Sequence, residues 1–193
     1  VSCGVSVTVT GENKPGRVVI STTDLTVPIV GLPITIGRTY DSLERDYLSD
    51  FGYGWSLSIG SPRLEVASNS DVTVTLPNGR RRTFFFAPRQ LSPFFPWASP
   101  RYIGEPGEYG KMTVTHSCDL VQPGDGVYYC FLGGAGGFYN QNVQKFHYED
   151  PYGRVFTFKT SGKLEKIRDL NGNELIFSPS GIQSSTGINV DFN

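Results

Sequence analysis

Residues 150–181, DPYGRVFTFKTSGKLEKIRDLNGNELIFSPSG, carry one pattern twice. Asp150 and Asp169 lie 19 residues apart, and the same offset separates Gly153 from Gly172, Phe158 from Phe177, and Ser161-Gly162 from Ser180-Gly181. A D-x-x-G tetrapeptide suits a type I turn. Asp at the first position accepts a hydrogen bond from the backbone two residues on. Pro at the second already holds the needed φ, and Gly at the fourth takes the positive φ that closes a bulged hairpin. Asp150-Pro151-Tyr152-Gly153 meets all three demands; Asp169-Leu170-Asn171-Gly172 and Leu76-Pro77-Asn78-Gly79 each meet two. Asp150, Gly153, Asp169, Gly172 and Gly79 therefore read as structural turn residues. The unit is strand, D-x-x-G turn, strand, S-G turn, with strands of about six or seven residues. Leu164 and Ile167 cannot share a face of an unbroken strand, so a bulge or twist is expected between them.

The rest of the chain agrees with a fold made of strands. It holds 13 Phe, 10 Tyr and 2 Trp beside 23 Gly and 13 Pro, a composition of many short strands joined by tight turns. VSVTVT (Val5 to Thr10), LPITIGRTY (Leu32 to Tyr40) and WSLSIG (Trp55 to Gly60) alternate apolar and polar residues. GRVVISTTDLTVPI is β-branched and extended. DVTVTLPNGRRRTFFF (Asp71 to Phe86) reads as a hairpin turning at L-P-N-G. SLERDYLSD (Ser42 to Asp50) is the only helix candidate, and a helix that short is marginal. The expected fold is an all-β, antiparallel meander of hairpins with open sheet edges.

Charge and hydropathy exclude some functions. Lys and Arg total 17 against 18 Asp and Glu, a net charge of -1, which does not suit bulk binding to nucleic acid. No apolar run approaches the roughly 18 residues of a membrane span. VSCGVSVTVT has neither the charged start nor the apolar centre of a secretory leader, so the chain reads as a processed product or as a piece of something larger.

Two stretches resemble a known family. Tyr148, Asp150, Gly153, Arg154, Val155, Phe156 and Phe158, followed by S-G-x-L-x-x-I-x-D-x-x-G-N from Ser161 to Asn173, resemble the YD repeats of the rearrangement-hotspot (Rhs) family. DLTVPIVGLPITIGRTYDSL (Asp24 to Leu43), FGYGWSLSI (Phe51 to Ile59) and VTLPNGRRRTFFF (Val74 to Phe86) resemble the segment that precedes such repeats in bacterial members. The pattern departs at Tyr148-Glu149-Asp150, where the literal Tyr-Asp pair is split, and at Asn173, where Arg is usual. Residues 87–145 match no part of it. The resemblance implies β-hairpins wound into a large spiralling shell, as in toxin-complex shell subunits and teneurins. It also implies three parts: a Rhs-type opening β segment (1–86), an inserted Pro- and aromatic-rich part (87–147) and YD-like hairpin repeats (148–193). These are expected to form one continuous unit.

The insertion carries its own signals. APRQLSPFFPWASPRYIGEPGEYG (Ala87 to Gly110) is rich in proline and aromatics. Phe94, Phe95 and Trp97, with Tyr102 and Tyr109, are either an exposed platform for sugar rings or a partner, or an irregular loop plugging the open end of the sheet. The second is the expectation, because aromatic rings usually pack. KMTVTHSCDLVQPGDGVYYCFLGG reads as a hairpin turning at P-G-D-G, with Cys118 and Cys130 equidistant from its middle. A cross-strand disulfide between them fits disulfide geometry and favours an oxidising, extracytoplasmic setting. Cys3 is left over.

Nothing assembles into a catalytic motif. Cys130 and His147 lack a third group, and no G-x-S-x-G elbow is present. LGGAGG (Leu132 to Gly137) lacks the Lys-Ser/Thr of a phosphate loop and reads as a flexible or bulged connection. Two histidines and three cysteines are too few and badly spaced for zinc. The DLNGNE turn lacks the Asp ladder of a calcium loop. Arg80 to Arg82 read as a strand with solvated arginines rather than a nucleic-acid patch.

Two functions remain as expectations. One is a non-enzymatic, secreted or surface structural module without a cofactor or metal: a toxin shell, adhesin or filament component. Its partners would be the rest of a larger YD-repeat chain or copies of itself. The other is a carbohydrate-binding module using Phe94, Phe95 and Trp97, with glycans as partners.

Overall fold

The computed structural model describes residues 16–49, 52–58, 62–76, 80–116, 118–122, 127–132, 135–138 and 143–192. Val5 to Thr10, Cys3 and Gly79 lie outside them. Among the described residues the chain is all-β and antiparallel, in open sheets. The opening segment gives β1 (Val19–Val27) and β2 (Ile34–Asp41). A helical turn at Ser42–Glu44 follows, then the ribbon of β3 (Leu48–Ser49) and β4 (Gly52–Tyr53), then β5 (Trp55–Ser58). One sheet runs in the order β1-β2-β5.

The marginal helix candidate over 42–50 holds one 3-10 turn, Ser42–Glu44. Asp41 caps it by accepting from Leu43 N at 3.0 Å. Leu43, Tyr47 and Leu48 all remain exposed, so no apolar surface is there to prolong a helix.

Next come β6 (Arg63–Val66), β7 (Val72–Thr75) and β8 (Arg81–Phe86). The 71–86 hairpin forms as the alternation requires: Val72 pairs with Phe84 and Thr75 with Arg81, and Val72 and Val74 are fully buried. Leu76 N donates to Arg80 O at 2.8 Å, the same closure that the D-x-x-G turns use.

The insertion then contributes β9 (Arg89–Gln90), β10 (Trp97–Ser99), β11 (Tyr102–Gly104), β12 (Lys111–His116), β13 (Asp119–Val121), β14 (Tyr129–Leu132) and β15 (Ala135–Phe138). It is not an irregular loop. Its strands build a sheet β15-β14-β13-β10-β9 and lend β11 to the sheet β11-β8-β7-β6. Two expectations change here. The LGGAGG stretch is no mere connection, because Ala135–Phe138 pairs with β14 at the sheet edge, where glycine is tolerated. The hairpin read from Lys111 to Gly134 is also shorter than expected. Only β13 faces β14, and β12 leaves to pair with β16.

The last part is β16 (Val143–Glu149), β17 (Val155–Lys159), β18 (Leu164–Arg168), β19 (Glu174–Ser178), β20 (Gly181–Ser184) and β21 (Asn189–Asp191). With β12 they make a seven-stranded sheet, β12-β16-β17-β18-β19-β20-β21. The expected bulge is present: Phe158 faces Leu164 and Thr157 faces Lys166, leaving Glu165 as the extra residue. Leu164 and Ile167 can then both turn to the apolar face, and both pack on the main core.

Two cores cover that one face. The larger takes Leu64, Val72, Val74 and Phe84 from the opening segment, Met112, Leu120 and Phe146 from the insertion, and Tyr148, Phe156 and Phe158 from the repeats. The smaller joins Ile34 to Leu175 and Ile182. Side chains from all three sequence parts therefore pack together rather than forming separate cores.

Candidate functional site

The turns show what the repeated aspartates do. Asp150 Oδ1 accepts from Tyr152 N and Arg154 N, both at 2.9 Å, and Oδ2 accepts from Arg154 Nε at 2.7 Å. Asp169 repeats the plan: Oδ1 accepts from Asn171 N at 2.9 Å and Asn173 N at 2.8 Å, and Oδ2 accepts from Asn173 Nδ2 at 2.8 Å. Gly153 and Gly172 sit at φ of 78° and 85°. The position after the turn glycine, Arg in one unit and Asn in the other, thus has one job: it donates from its side chain to the aspartate. Gly162 has a second duty. A Cβ there would lie 2.0 Å from Leu64 O, and its own carbonyl accepts from Leu64 N at 3.0 Å. The S-G turn is thereby docked edge-on to β6.

The aromatics of the insertion divide. Trp97 packs edge-to-face on Phe131 at 5.1 Å and Tyr102 on Phe86 at 5.4 Å. Phe94, Phe95 and Tyr109 do not plug the sheet; they are 87%, 61% and 82% exposed. Both phenylalanines lie in the connection between the paired strands β9 and β10, closed by Leu91 N donating to Trp97 O at 2.8 Å. Beside them is a recess of about 230 Å³ lined by Gln90, Phe94, Phe95, Trp97, Gln122 and Tyr128.

Cys118 and Cys130 form a disulfide, with their Cα atoms 5.5 Å apart. The bridge does not join a register pair: Cys130 faces Leu120, and Cys118 precedes β13. Cys130 is therefore no nucleophile for His147. The His147 ring lies between Thr115 Oγ1 at 2.9 Å and Thr157 Oγ1 at 3.2 Å on the polar face of the repeat sheet. Burial, then Lys145 and Lys166, push its pKa below the ordinary histidine value, against the pull of Glu165. Among the described residues, no cluster of His, Cys, Asp and Glu is arranged to hold a metal ion. Arg81 and Arg82 are paired rather than simply solvated, with Glu65 at 2.9 Å and with Glu108 at 2.9 Å.

Glu108 is the residue that sequence reading missed. Its side chain is only 2% exposed. Oε1 accepts from Gly110 N at 2.6 Å and from the Tyr148 hydroxyl at 3.4 Å. Burial first, then the charges of Glu108 and Asp150, push the Tyr148 pKa up to about 12. Nothing in E-P-G-E predicts this, because the partners Arg82 and Tyr148 are brought in by sheet pairing.

Arg82, Glu108 and Tyr148 border a cleft of about 560 Å³. It lies on the apolar face of the repeat sheet, in the gap between the two cores. Leu32 to Thr35 form one wall, and Leu76, Arg80, Arg82 and Gly107 to Tyr109 form the other. The first D-x-x-G turn closes one end through Asp150, Tyr152 and Arg154.

Residues 14–84 match a family described as a domain of unknown function, DUF6531. The matched stretch spans the opening sheet, β6 and β7, and ends within β8. No curated protein matches the chain.

Proposed function

We propose that this chain is a non-enzymatic structural module of a secreted or surface YD-repeat protein. In this reading the opening segment roofs the first hairpins of a repeat array. The observation that carries it is the seven-stranded sheet. Two 19-residue units lie side by side in it, and their shared apolar face is covered by the opening segment. The family match falls on that covering segment. The groups best suited to chemistry are occupied structurally: Cys130 by Cys118, Asp150 and Asp169 by their turns. The disulfide is compatible with an extracytoplasmic setting. No helix among the described residues is long and apolar enough to cross a membrane.

Strand β21 lies at the edge of the repeat sheet, where a further hairpin or a second copy would pair. Repeat arrays gain stability with each neighbour added. Appending copies of Val155 to Asn173 after Asn193 tests this. The expected outcome is one cooperative transition whose midpoint rises with each copy. Appended strands with unprotected amides and an unmoved midpoint would sink the reading.

A second reading is favoured by one observation. Phe94 and Phe95 stand exposed beside a recess that also holds Gln90 and Gln122, the mix of ring faces and amides that suits a sugar. A glycan array with Phe94→Ala and Phe95→Ala as controls decides it; no binding to any glycan removes it.

A further inference from the structure

The cleft between the opening sheet and β8 has features that the structural reading does not use. Its volume of about 560 Å³ is that of a small-molecule site, about 300–1,000 Å³. Its floor is apolar and comes from four adjacent strands: Phe156 on β17, Ile167 on β18, Leu175 and Phe177 on β19, and Ile182 on β20. These strands are internal to the sheet, with both edges paired. An extended peptide would find no backbone ladder to join there. What the floor offers is a greasy trough for a single chain.

The rim is charged. Arg82 and Arg154 line it beside two carboxylates, Glu108 and Asp150, with Arg80 alongside. Arg82 engages Glu108 through Nε at 2.9 Å, and Arg154 engages Asp150 through Nε at 2.7 Å. The terminal nitrogens of Arg82 and Arg154 take no hydrogen-bond partner among the described residues. Guanidinium donors of this kind match the two oxygens of a carboxylate. Arg154 is fixed over the floor, its Cζ 5.8 Å from the Phe156 ring, so head-group donors and apolar trough are adjacent. Tyr109 and Tyr152 stand exposed at the mouth.

We propose that the cleft binds a small amphiphile, an aliphatic carboxylate. Its head lies on the guanidinium groups of Arg154 and Arg82, and its chain lies along Ile167 and Phe177, the half-buried residues of the floor. A cationic head would meet the guanidinium groups of Arg82 and Arg154 rather than a free carboxylate. A neutral head would leave the paired donors unmatched.

The test compares three ligands of equal chain length below their micelle concentrations: dodecanoate, dodecan-1-ol and dodecyltrimethylammonium. Calorimetry gives affinities, and NMR contacts locate the tail. Dodecanoate is expected to bind about tenfold or more tighter than the other two, with tail contacts to the Ile167 methyl groups and the Phe177 ring. Arg154→Gln removes most of that preference and leaves the alcohol unchanged. Arg154→Lys, which retains the charge beside Asp150, keeps part of it and guards against a folding defect. No measurable binding, equal affinity for the three heads, or tail contacts away from Ile167 and Phe177 would each overturn the proposal.

Discussion

Phe158 and Phe177 hold the same place in successive units, yet Phe158 is wholly buried and Phe177 only partly so. Asp150 and Asp169 differ in the same way: identical hydrogen-bond plans, one residue buried and the other only partly so. The first unit lies under β6, β7 and β8 and shares a core with Phe84 and Val74. The second lies under the start of β2, where Ile34 is the one buried apolar residue among the described residues of the opening sheet. The S-G turns also diverge. Lys159 N reaches Lys163 O across a bulged turn, while Ser178 pairs directly with Gly181. The repeat therefore specifies strands and turns, but burial comes from what is laid over each unit.

The phenylalanine pair gives the largest expected contrast. Phe158→Ala removes a fully buried ring and leaves a cavity, at a cost of about 3–5 kcal/mol. Phe177→Ala is expected to cost about 1–2 kcal/mol, because part of its ring is already in water. Urea unfolding of the two variants measures the difference. Equal losses would mean that the second unit is covered as fully as the first.

The glycines come next. Gly162→Ala combines a positive φ with a Cβ driven into Leu64 O, and is expected to cost about 2–4 kcal/mol. Gly172→Ala has a similar φ but nothing within 4 Å of the new Cβ, so only the conformational strain of about 1 kcal/mol is expected. Thermal midpoints separate these outcomes. A mild Gly162→Ala would show that the S-G turn is not seated on β6.

This contrast also marks how far the sequence could be read. The D-x-x-G turns, the 71–86 hairpin, the bulge beside Leu164 and the Cys118–Cys130 bridge were legible because each is local. Alternation, turn chemistry and short loop closure act within about twenty residues. What was not legible depends on distant partners. Alternation says that Met112 and Val114 share a face but not that β12 leaves its expected hairpin for β16. Glu108 owes its burial to Arg82 and Tyr148, neither near it in sequence. Phe94 and Phe95 were expected to pack because most aromatic rings do, but the pairing of β9 with β10 leaves them in an exposed connection. The cleft was invisible because its parts are distant in sequence: its walls are residues 32–35, 76, 80, 82 and 107–109, and its floor lies in the repeats.

The aspartates give a smaller contrast. Asp150→Ala strips the acceptor from Tyr152 N, Arg154 N and Arg154 Nε at a buried position, and is expected to cost about 1–3 kcal/mol. Asp169→Ala exposes the equivalent donors to water, which takes over their hydrogen bonds, so its loss is expected to be smaller. Denaturant midpoints compare them; equal losses would show that burial of the first turn adds nothing.

The smallest expected effect is the pH dependence at Asp169. The Asn173 side-chain amide, with the backbone N–H groups of Asn173, Asn171 and Gly172, holds this carboxyl below its ordinary pKa of 3.8, against a smaller effect of desolvation. A carboxyl depressed on folding stabilises the fold above its unfolded pKa, and that share is lost as pH falls through the folded value. Asp169→Asn keeps the side-chain oxygen that accepts from Asn171 N and Asn173 N but removes the charge. The gap in denaturant midpoint between wild type and Asp169→Asn should therefore be constant above about pH 5 and narrow below pH 3.8. A gap that stays the same down to pH 2 would show that the second turn needs only an acceptor, not a charge.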